Sequence, residues 1–331
     1  MLIREIPENT YSVFSTNHED STPFHSTTWL RRVIVSTFSS TVSYLGVYDG
    51  ETLLGCFPVI SKRFGPLHLH GSPLPKHATY TLHPLLNKQV DSEAFLAAVA
   101  DWVKSNKIYY FQLTWIRNTP QNLNGGTCEC RPTLVVPLQG DILQVWKKIK
   151  REARNRIRHA LKSGIRLHWS SMEKIEKHYQ ELLDSTYGRQ GISQTFPKMI
   201  YSYIAENQQA LNVKVLSATL QNEIIASIWL IYNEKTCYFW DGASKQDYRK
   251  LSPNHLLHWS VMRWCKKSGI VAYDLIGVGG RAGFRDGITR FKRSLGGQVI
   301  DMHTIYWMKW WLRILLNFYR CYLRIKDKTK L

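Results

Sequence analysis

Two segments of the chain show the same order of apolar and polar patterns. In the first, apolar runs on either side of Asp49-Gly50 within residues 42–62 predict a β-hairpin, because Asp-Gly favours a tight two-residue turn. Asp91 then caps a periodic apolar run to about Lys104, which predicts a helix, and residues 108–115 form an apolar strand. This segment therefore predicts a hairpin, a helix and a strand.

The second segment repeats that order later in the chain. Residues 213–232 predict a hairpin around a polar turn, and residues 237–240 predict a further strand. Ser252 and Pro253 begin a predicted helix to about Lys267, and residues 271–276 form the next strand. The repeated order predicts a duplicated fold of the α/β (α+β) class.

A strongly basic segment, Trp146–Gly164, connects the two repeats. Its apolar residues share one face of a predicted helix, and cations occupy the rest. We call these cations the basic ridge: Lys147, Lys148, Lys150, Arg151, Arg154, Arg156, Arg158 and Lys162. Like charges so close together destabilise a helix unless an anion lies against them, and Glu152 is the single acid here. We predict polyanion binding by Lys147, Lys150, Arg151, Arg154 and Arg158; a solvated helix face is the alternative.

The C-terminal pattern differs from both repeats. Residues 305–325 are rich in tryptophan, tyrosine and leucine, and Lys309, Arg313, Arg320 and Arg324 cluster on one side of a helical wheel. Cations in the middle argue against a membrane-spanning helix. The pattern predicts an amphipathic helix in the membrane interface, or else a helix that packs on the body of the protein.

Composition narrows the class of partner. The 331 residues include 44 Lys and Arg against 25 Asp and Glu, a formal net charge of +19, which favours polyanions or an acidic bilayer. Six cysteines are scattered and the N-terminus has no apolar run, which indicates a reducing cytoplasm. Cys128-x-Cys130 has no further ligand at a metal-site spacing, and neither does the pair His68 and His70 or the pair His255 and His258, so no metal is expected.

Common catalytic motifs do not fit the sequence. Gly277-Val-Gly-Gly280 follows a predicted strand but is not followed by the helix and acidic residue of a dinucleotide site, and no P-loop or G-x-S-x-G motif occurs. Polar residues instead cluster at predicted strand ends and at a helix start in the second repeat, at Asp241-Gly242, Asn254 and Tyr273-Asp274. Such positions meet at one edge of an α/β sheet, where ligands bind.

This combination resembles the Fem family of bacterial transferases, which includes FemA, FemB, FemX and FemAB-like acyltransferases of polysaccharide gene clusters. The similar features, within about residues 140–300, are Trp146–Gly164, Arg189-Gln-Gly191, Asp241-Gly242, Pro253-Asn254, Tyr273-Asp274 with Gly277, and Phe291-Lys292 before Gly296-Gly297. The resemblance implies two tandem GNAT-like domains with mixed twisted sheets, which we place at residues 1–138 and 139–304, followed by the tail at 305–331.

The resemblance also implies a catalytic site. Lys292 would stabilise the developing oxyanion or a donor phosphate, and Phe291 would help to exclude water. Asp274 and Asp241 would either hold strand ends by hydrogen bonds or accept the proton of the attacking amine. Substrate binding is assigned to Arg189, Tyr238, Trp240, Asn254, Gly277, Arg281 and Arg285.

The implied activity is N-acyl transfer from an aminoacyl-tRNA or an acyl-CoA to an amine. The acceptor would be a nucleotide- or lipid-linked envelope precursor, a peptidoglycan peptide or a surface polysaccharide, at the inner face of the plasma membrane. The chain lacks the coiled-coil arm of FemA and FemB, and no GNAT pyrophosphate loop matches residues 249–254. The alternative is a non-catalytic, basic, membrane-associated protein that binds polyanions and gives envelope or antimicrobial-peptide resistance.

Overall fold

A computed structural model describes residues 1–118, 121–190, 194, 196–277, 284–315 and 318. The strands are β1 (Leu2–Glu5), β2 (Thr41–Asp49), β3 (Thr52–Phe64), β4 (Leu67–Ser72), β5 (Leu85–Leu86), β6 (Tyr110–Trp115), β7 (Thr127–Cys130), β8 (Thr133–Pro137), β9 (Arg166–Ser170), β10 (Val213–Leu220), β11 (Glu223–Tyr232), β12 (Thr236–Ser244), β13 (Ala272–Asp274), β14 (Gln298–Ile300) and β15 (His303–Met308). The helices are α1 (Glu8–Asn17), α2 (Ser36–Phe38), α3 (Ser92–Ser105), α4 (Ile142–Lys148), α5 (Arg151–Lys162), α6 (Met172–Gln190), α7 (Met199–Glu206), α8 (Gln208–Leu211), α9 (Pro253–Lys267) and α10 (Phe284–Ser294).

The chain forms two compact units. The first contains Met1–Ser21, Ser39–Cys130 and the chain from Met302, and the second contains Thr22–Phe38 and Arg131–Asp301. The domain limits expected from the sequence stay a prediction.

The first unit is built on a sheet with the order β1-β2-β3-β4-β6-β15-β7, with β5 on β3. Strands β4 and β6 are parallel, and α3 lies between them in sequence. Asp91 caps α3 by accepting the Ala94 N–H at 2.8 Å, as its position before the apolar run predicts. Phe95 of α3 stacks on Trp115 of β6, with ring centroids 5.6 Å apart, so the helix covers one face of the sheet.

The second unit repeats this plan with the order β9-β10-β11-β12-β13-β8-β14. Strands β12 and β13 are parallel, and α9 lies between them in sequence. The apolar faces of α5 and α9 pack on this sheet in one core. In each unit the parallel strand pairs on its other side with an antiparallel strand from a distant part of the chain, β15 beside β6 and β8 beside β13. The duplicated α/β fold with mixed sheets is confirmed.

The helix predicted over the basic ridge is interrupted. Helix α4 ends at Lys148 and α5 begins at Arg151, because Ile149 and Lys150 have extended ψ angles of 132° and 145°. The Lys150 N–H donates instead to the Ser294 carbonyl at 2.9 Å. Ile149 is still 1% exposed, so the predicted apolar face survives the break.

The predicted helix at 305–325 begins later than expected. Residues His303–Met308 form β15, in which Ile305 and Trp307 enter the core at 0% and 5% exposure. The strand forms because the edge of β6 is available for pairing and the continuous apolar run at residues 305–308 suits a buried strand. Helix is described at 310–315 and 318, and the cations at 320 and 324 lie outside the described residues. None of the described helices has the length and apolarity needed to cross a bilayer.

Candidate active site

Strand β13 ends where the parallel pair separates. Its pairing with β12 stops at Tyr238 and Asp274, although β12 continues to Ser244. The carboxyl ends of two parallel strands that diverge leave space at the sheet edge, which is where α/β proteins place ligands. The polar side chains at these two strand ends are therefore the first candidates for a functional site.

Asp274 organises the turn after β13. Its carboxylate oxygen Oδ1 accepts the hydroxyl of Thr133 and, at 2.7 Å, the N–H of Ile276. Ile276 and Gly277 both have left-handed backbones, with φ of 56° and 49°. Burial raises the pKa of Asp274, whereas these two hydrogen bonds and the charge of Lys292 act to lower it. The hydrogen bonds of this carboxylate join β8 to the turn.

The turn holds the ammonium group of Lys292. Lys292 is half-buried in α10, and its Nζ donates to the carbonyl oxygen of Ile276 and, at 3.0 Å, to that of Gly277. Its charge also lowers the pKa of Asp274. Lys292, Asp274 and Gly277, which the sequence analysis assigned to the site, thus lie together. The cation has a fixed orientation at the sheet edge.

Phe291 joins this site to a buried histidine. The Phe291 ring packs edge-on against His255 and His258, with centroids 4.8 and 5.4 Å away. His258 is 2% exposed, and its Nδ1 lies 2.8 Å from the Tyr273 hydroxyl. Burial, together with the nearby charges of His255 and Lys292, lowers the pKa of His258 to about 3. The imidazole is therefore neutral at pH 7.

No role for His258 is predicted from the sequence. The spacing of His255 and His258 places both on one face of α9, which is the signal that was available. Their contact with Phe291 depends on how α10 packs on α9, which the spacing does not encode.

His258 gives the first prediction. An unfolded histidine takes up a proton near pH 6.5, but the folded one stays neutral down to about pH 3. Its contribution to stability is thus complete above pH 6.5 and decreases as the pH falls. Below pH 6.5 the free energy of unfolding should fall by about 1.4 kcal/mol per pH unit. Between pH 7 and pH 5 we therefore expect the wild type to lose about 2 kcal/mol of unfolding free energy relative to His258→Gln.

Urea unfolding of both proteins at pH 7 and pH 5 measures this difference. The comparison with the variant cancels the opposite effect of Asp241 and Asp274, whose raised pKa values favour the folded state in acid. A stability gap that does not change with pH would contradict the buried neutral histidine.

Asp241 belongs to a separate network at the end of β12. It follows a β-bulge, since Trp229 pairs with Asp241 while Leu230 pairs with Phe239. Its Oδ2 accepts the Tyr201 hydroxyl at 2.5 Å and its Oδ1 accepts the Gly242 N–H at 2.8 Å. Burial raises its pKa, and these hydrogen bonds oppose the rise. Tyr201 lies 40 residues away on α7, so no local sequence pattern indicates this contact.

The other predicted substrate-binding residues have varied surroundings. Trp240 is 2% exposed and stacks on Phe196, with centroids 5.6 Å apart. Tyr238 is also buried, and Asn254 donates to the Ser244 hydroxyl at 3.3 Å, which joins α9 to the end of β12. These three residues stabilise the strand end from inside. The side chains of Arg189 and Arg285, and all of Arg281, lie outside the described residues.

The basic ridge forms a cationic surface on α4 and α5. Lys147, Lys150, Arg151 and Arg158 are exposed, and Arg154 is half-buried. The buried Nε of Arg154 has no hydrogen-bond partner among the described residues. Arg156 pairs with Glu152 at 3.1 Å, so the one acid of the segment is already used. The five cations predicted to bind a polyanion thus lie close together in the chain, and Glu152, the one acid of the segment, pairs with a different cation.

A pocket of about 430 Å³ lies at the turn between β10 and β11. Glu223 and Lys245 line it and form an ion pair at 2.5 Å. None of the predicted site residues lines this pocket. Among the described residues, no group of three or more histidine, cysteine or carboxylate side chains is arranged to hold a metal ion.

Comparisons with known proteins agree with this architecture. The model of the acetyltransferase (GNAT) domain family matches residues 147–293. The crystal structure of FemX is similar at a TM-score of 0.67 and 15% identity, over 92% of this chain and 97% of that chain. A tandem GNAT protein from the clavulanic acid biosynthesis pathway is similar at a TM-score of 0.54 and 8% identity, over 92% of this chain and 96% of that chain. The structure of L-PGS from Bacillus licheniformis is similar at a TM-score of 0.56 and 12% identity, over 92% of each chain. A search of curated proteins finds no match.

The fold is that of a protein with two GNAT-like domains, and the family match over residues 147–293 supports an acyltransferase. The resemblance to FemAB/FemX-like proteins that the sequence predicted is confirmed at the level of the fold. The matched region includes both strand ends described above, with Asp241, Asp274 and Lys292.

Proposed function

We propose that this protein transfers an acyl or aminoacyl group to an amine of a cell-envelope precursor, either a peptidoglycan peptide or a surface polysaccharide. The reaction site is the sheet edge at the end of β13. The observation that carries the proposal is the Lys292 ammonium held by the carbonyls of Ile276 and Gly277 inside the matched GNAT region.

The proposed chemistry needs a fixed positive charge more than a strong base. The acceptor amine attacks the carbonyl carbon of the donor ester or thioester and forms a tetrahedral intermediate with a negative oxygen. Lys292 stabilises that oxygen, and the apolar ring of Phe291 limits the access of water. The new C–N bond then replaces the C–O or C–S bond of the donor. The proton lost by the amine balances the one gained by the leaving hydroxyl or thiol.

The two aspartates have different roles in this proposal. Asp274 is a positioning residue, because its hydrogen bonds to Thr133 and Ile276 set the turn that holds Lys292. Asp241 keeps the bulged end of β12 in place through Tyr201 and Gly242. Its raised pKa also makes it a better proton acceptor than an ordinary aspartate if the amine approaches this strand end.

We favour aminoacyl-tRNA over acyl-CoA as the donor. The exposed cations of the basic ridge and the net charge of +19 suit a large polyanion. Residues 249–254, before and at the start of α9, match no pyrophosphate loop of GNAT enzymes. We propose that the acceptor lies at the cytoplasmic face of the membrane, where lipid-linked precursors lie.

A transfer assay tests this function. The acceptor is a nucleotide-linked peptide with a free lysine amine or, in a second set, a polysaccharide with a free amine. The full chain is incubated with each acceptor and with either radiolabelled aminoacyl-tRNA or radiolabelled acetyl-CoA. We expect label to appear in the acceptor with the tRNA donor. Transfer from acetyl-CoA alone would keep the enzyme class and overturn the donor, whereas no transfer from either donor to peptide or glycan amines would favour the non-catalytic polyanion-binding alternative.

A further inference from the structure

The helix after β15 has one buried side and one exposed side. Leu312 is 4% exposed, and Trp311 packs against Tyr109 of the same unit, with ring centroids 5.9 Å apart. The Lys309 N–H donates to the Tyr109 carbonyl at 3.0 Å, which fixes the start of the helix. This side therefore attaches the helix to the first unit.

Other apolar side chains of this helix are exposed. Trp310, Ile314 and Phe318 are 74%, 45% and 71% exposed. They are spaced by four residues, so on a helix they fall within about 80° of one another. We call these three residues the tail face. A core helix would bury such a stripe, and scattered single apolar residues would not align in this way.

Charge decides which partner suits the tail face. Lys309 and Arg313 are exposed and lie beside the apolar stripe on the helical wheel. A second copy of the chain would bring two molecules of net charge +19 together, which is unfavourable. An anionic bilayer attracts that charge, and tryptophan and phenylalanine next to cations suit the headgroup region.

We propose that the tail face docks on an anionic phospholipid bilayer, with the helix lying in the plane of the interface. Trp310, Ile314 and Phe318 enter the acyl boundary, and Lys309 and Arg313 contact lipid phosphates. The proposal is independent of the transfer reaction, because it concerns the first unit and not the GNAT site of the second.

Vesicle sedimentation tests the docking. The full chain is mixed with vesicles of phosphatidylcholine alone or of phosphatidylcholine with phosphatidylglycerol. We expect binding to the anionic vesicles and much weaker binding to the neutral ones. Trp310→Ser/Phe318→Ser is expected to lower the partition coefficient about tenfold or more, because the buried apolar surface sets the strength of binding.

Phe64→Ser is the matched control, since Phe64 is an aromatic residue of the same unit with 70% exposure. It should bind vesicles as wild type does. All three proteins should unfold at the same temperature, and transfer to a soluble acceptor should not change. Undiminished binding of the double variant, equal binding to neutral and anionic vesicles, or a solution dimer that the double variant dissociates would overturn the proposal.

Discussion

Lys292→Ala is expected to lower the rate of acyl transfer by about 10² to 10³, a typical loss when one donor to a developing oxyanion is removed. The structure gives the reason, because the turn at Ile276 and Gly277 holds this ammonium in one orientation. Initial rates at saturating and limiting acceptor separate the effect on kcat from that on KM. A charge that acts in the transition state lowers kcat, whereas one that only binds substrate raises KM.

Arg293→Ala is the matched control for this variant. Arg293 is the next residue of α10 and is exposed, so its removal also takes away one positive charge but should leave the rate unchanged. Lys292→Arg tests geometry, because a planar guanidinium keeps the charge but does not reproduce the contacts of a compact ammonium. If the Lys292→Ala protein folds and transfers the acyl group at the wild-type rate, the assignment of the reaction site to Lys292 is wrong.

Charge reversal on the basic ridge is expected to weaken binding of aminoacyl-tRNA by a factor on the order of 100 at low salt. The variant is Lys150→Glu/Arg151→Glu/Arg158→Glu, and all three side chains are exposed. If each contacts one phosphate, the slope of log K against log salt should become shallower by about 2 to 3. Filter binding over a salt series measures both quantities.

A triple reversal elsewhere in the second unit controls for net charge. Arg166, Arg263 and Lys267 are exposed and lie outside the ridge. Their replacement by glutamate changes the net charge equally, so only a general electrostatic effect would be shared by both variants. Equal loss in the two variants would contradict a specific surface on α4 and α5.

The sequence predicted the parts of the fold that local patterns encode. The Asp91 cap and Pro253 at the start of α9 each fix an element by backbone chemistry within a few residues. The hairpin predicted around Asp49-Gly50 also forms, but its two-residue turn is Gly50-Glu51, because Asp49 already pairs with Thr52. The same elements recur in both units, so the duplication was readable from their order. The break in the helix at Ile149 and Lys150 could not be predicted in this way, because it depends on a hydrogen bond to Ser294 far along the chain.

Only part of the site could be predicted, because some of its contacts join residues that are far apart in the sequence. Asp274 was predicted from its position at a strand end and Lys292 from the family resemblance. The pairing of β13 with β8 brings the Thr133 hydroxyl to Asp274, and this contact joins residues 141 positions apart, so it has no local signal. The apolar content of residues 305–308 suits either a helix or a strand. The edge of β6 decided in favour of a strand.

The most direct test of the central claim is the reactivity of the Lys292 amine with and without a donor. An amine-reactive reagent at low concentration, followed by peptide mass spectrometry, reports each lysine of the full chain separately. We expect saturating aminoacyl-tRNA or acyl-CoA to lower the labelling of Lys292 strongly, while the exposed Lys267 of α9 is labelled as before. Labelling of Lys292 that stays the same with both donors would contradict an acyl-transfer site at the end of β13.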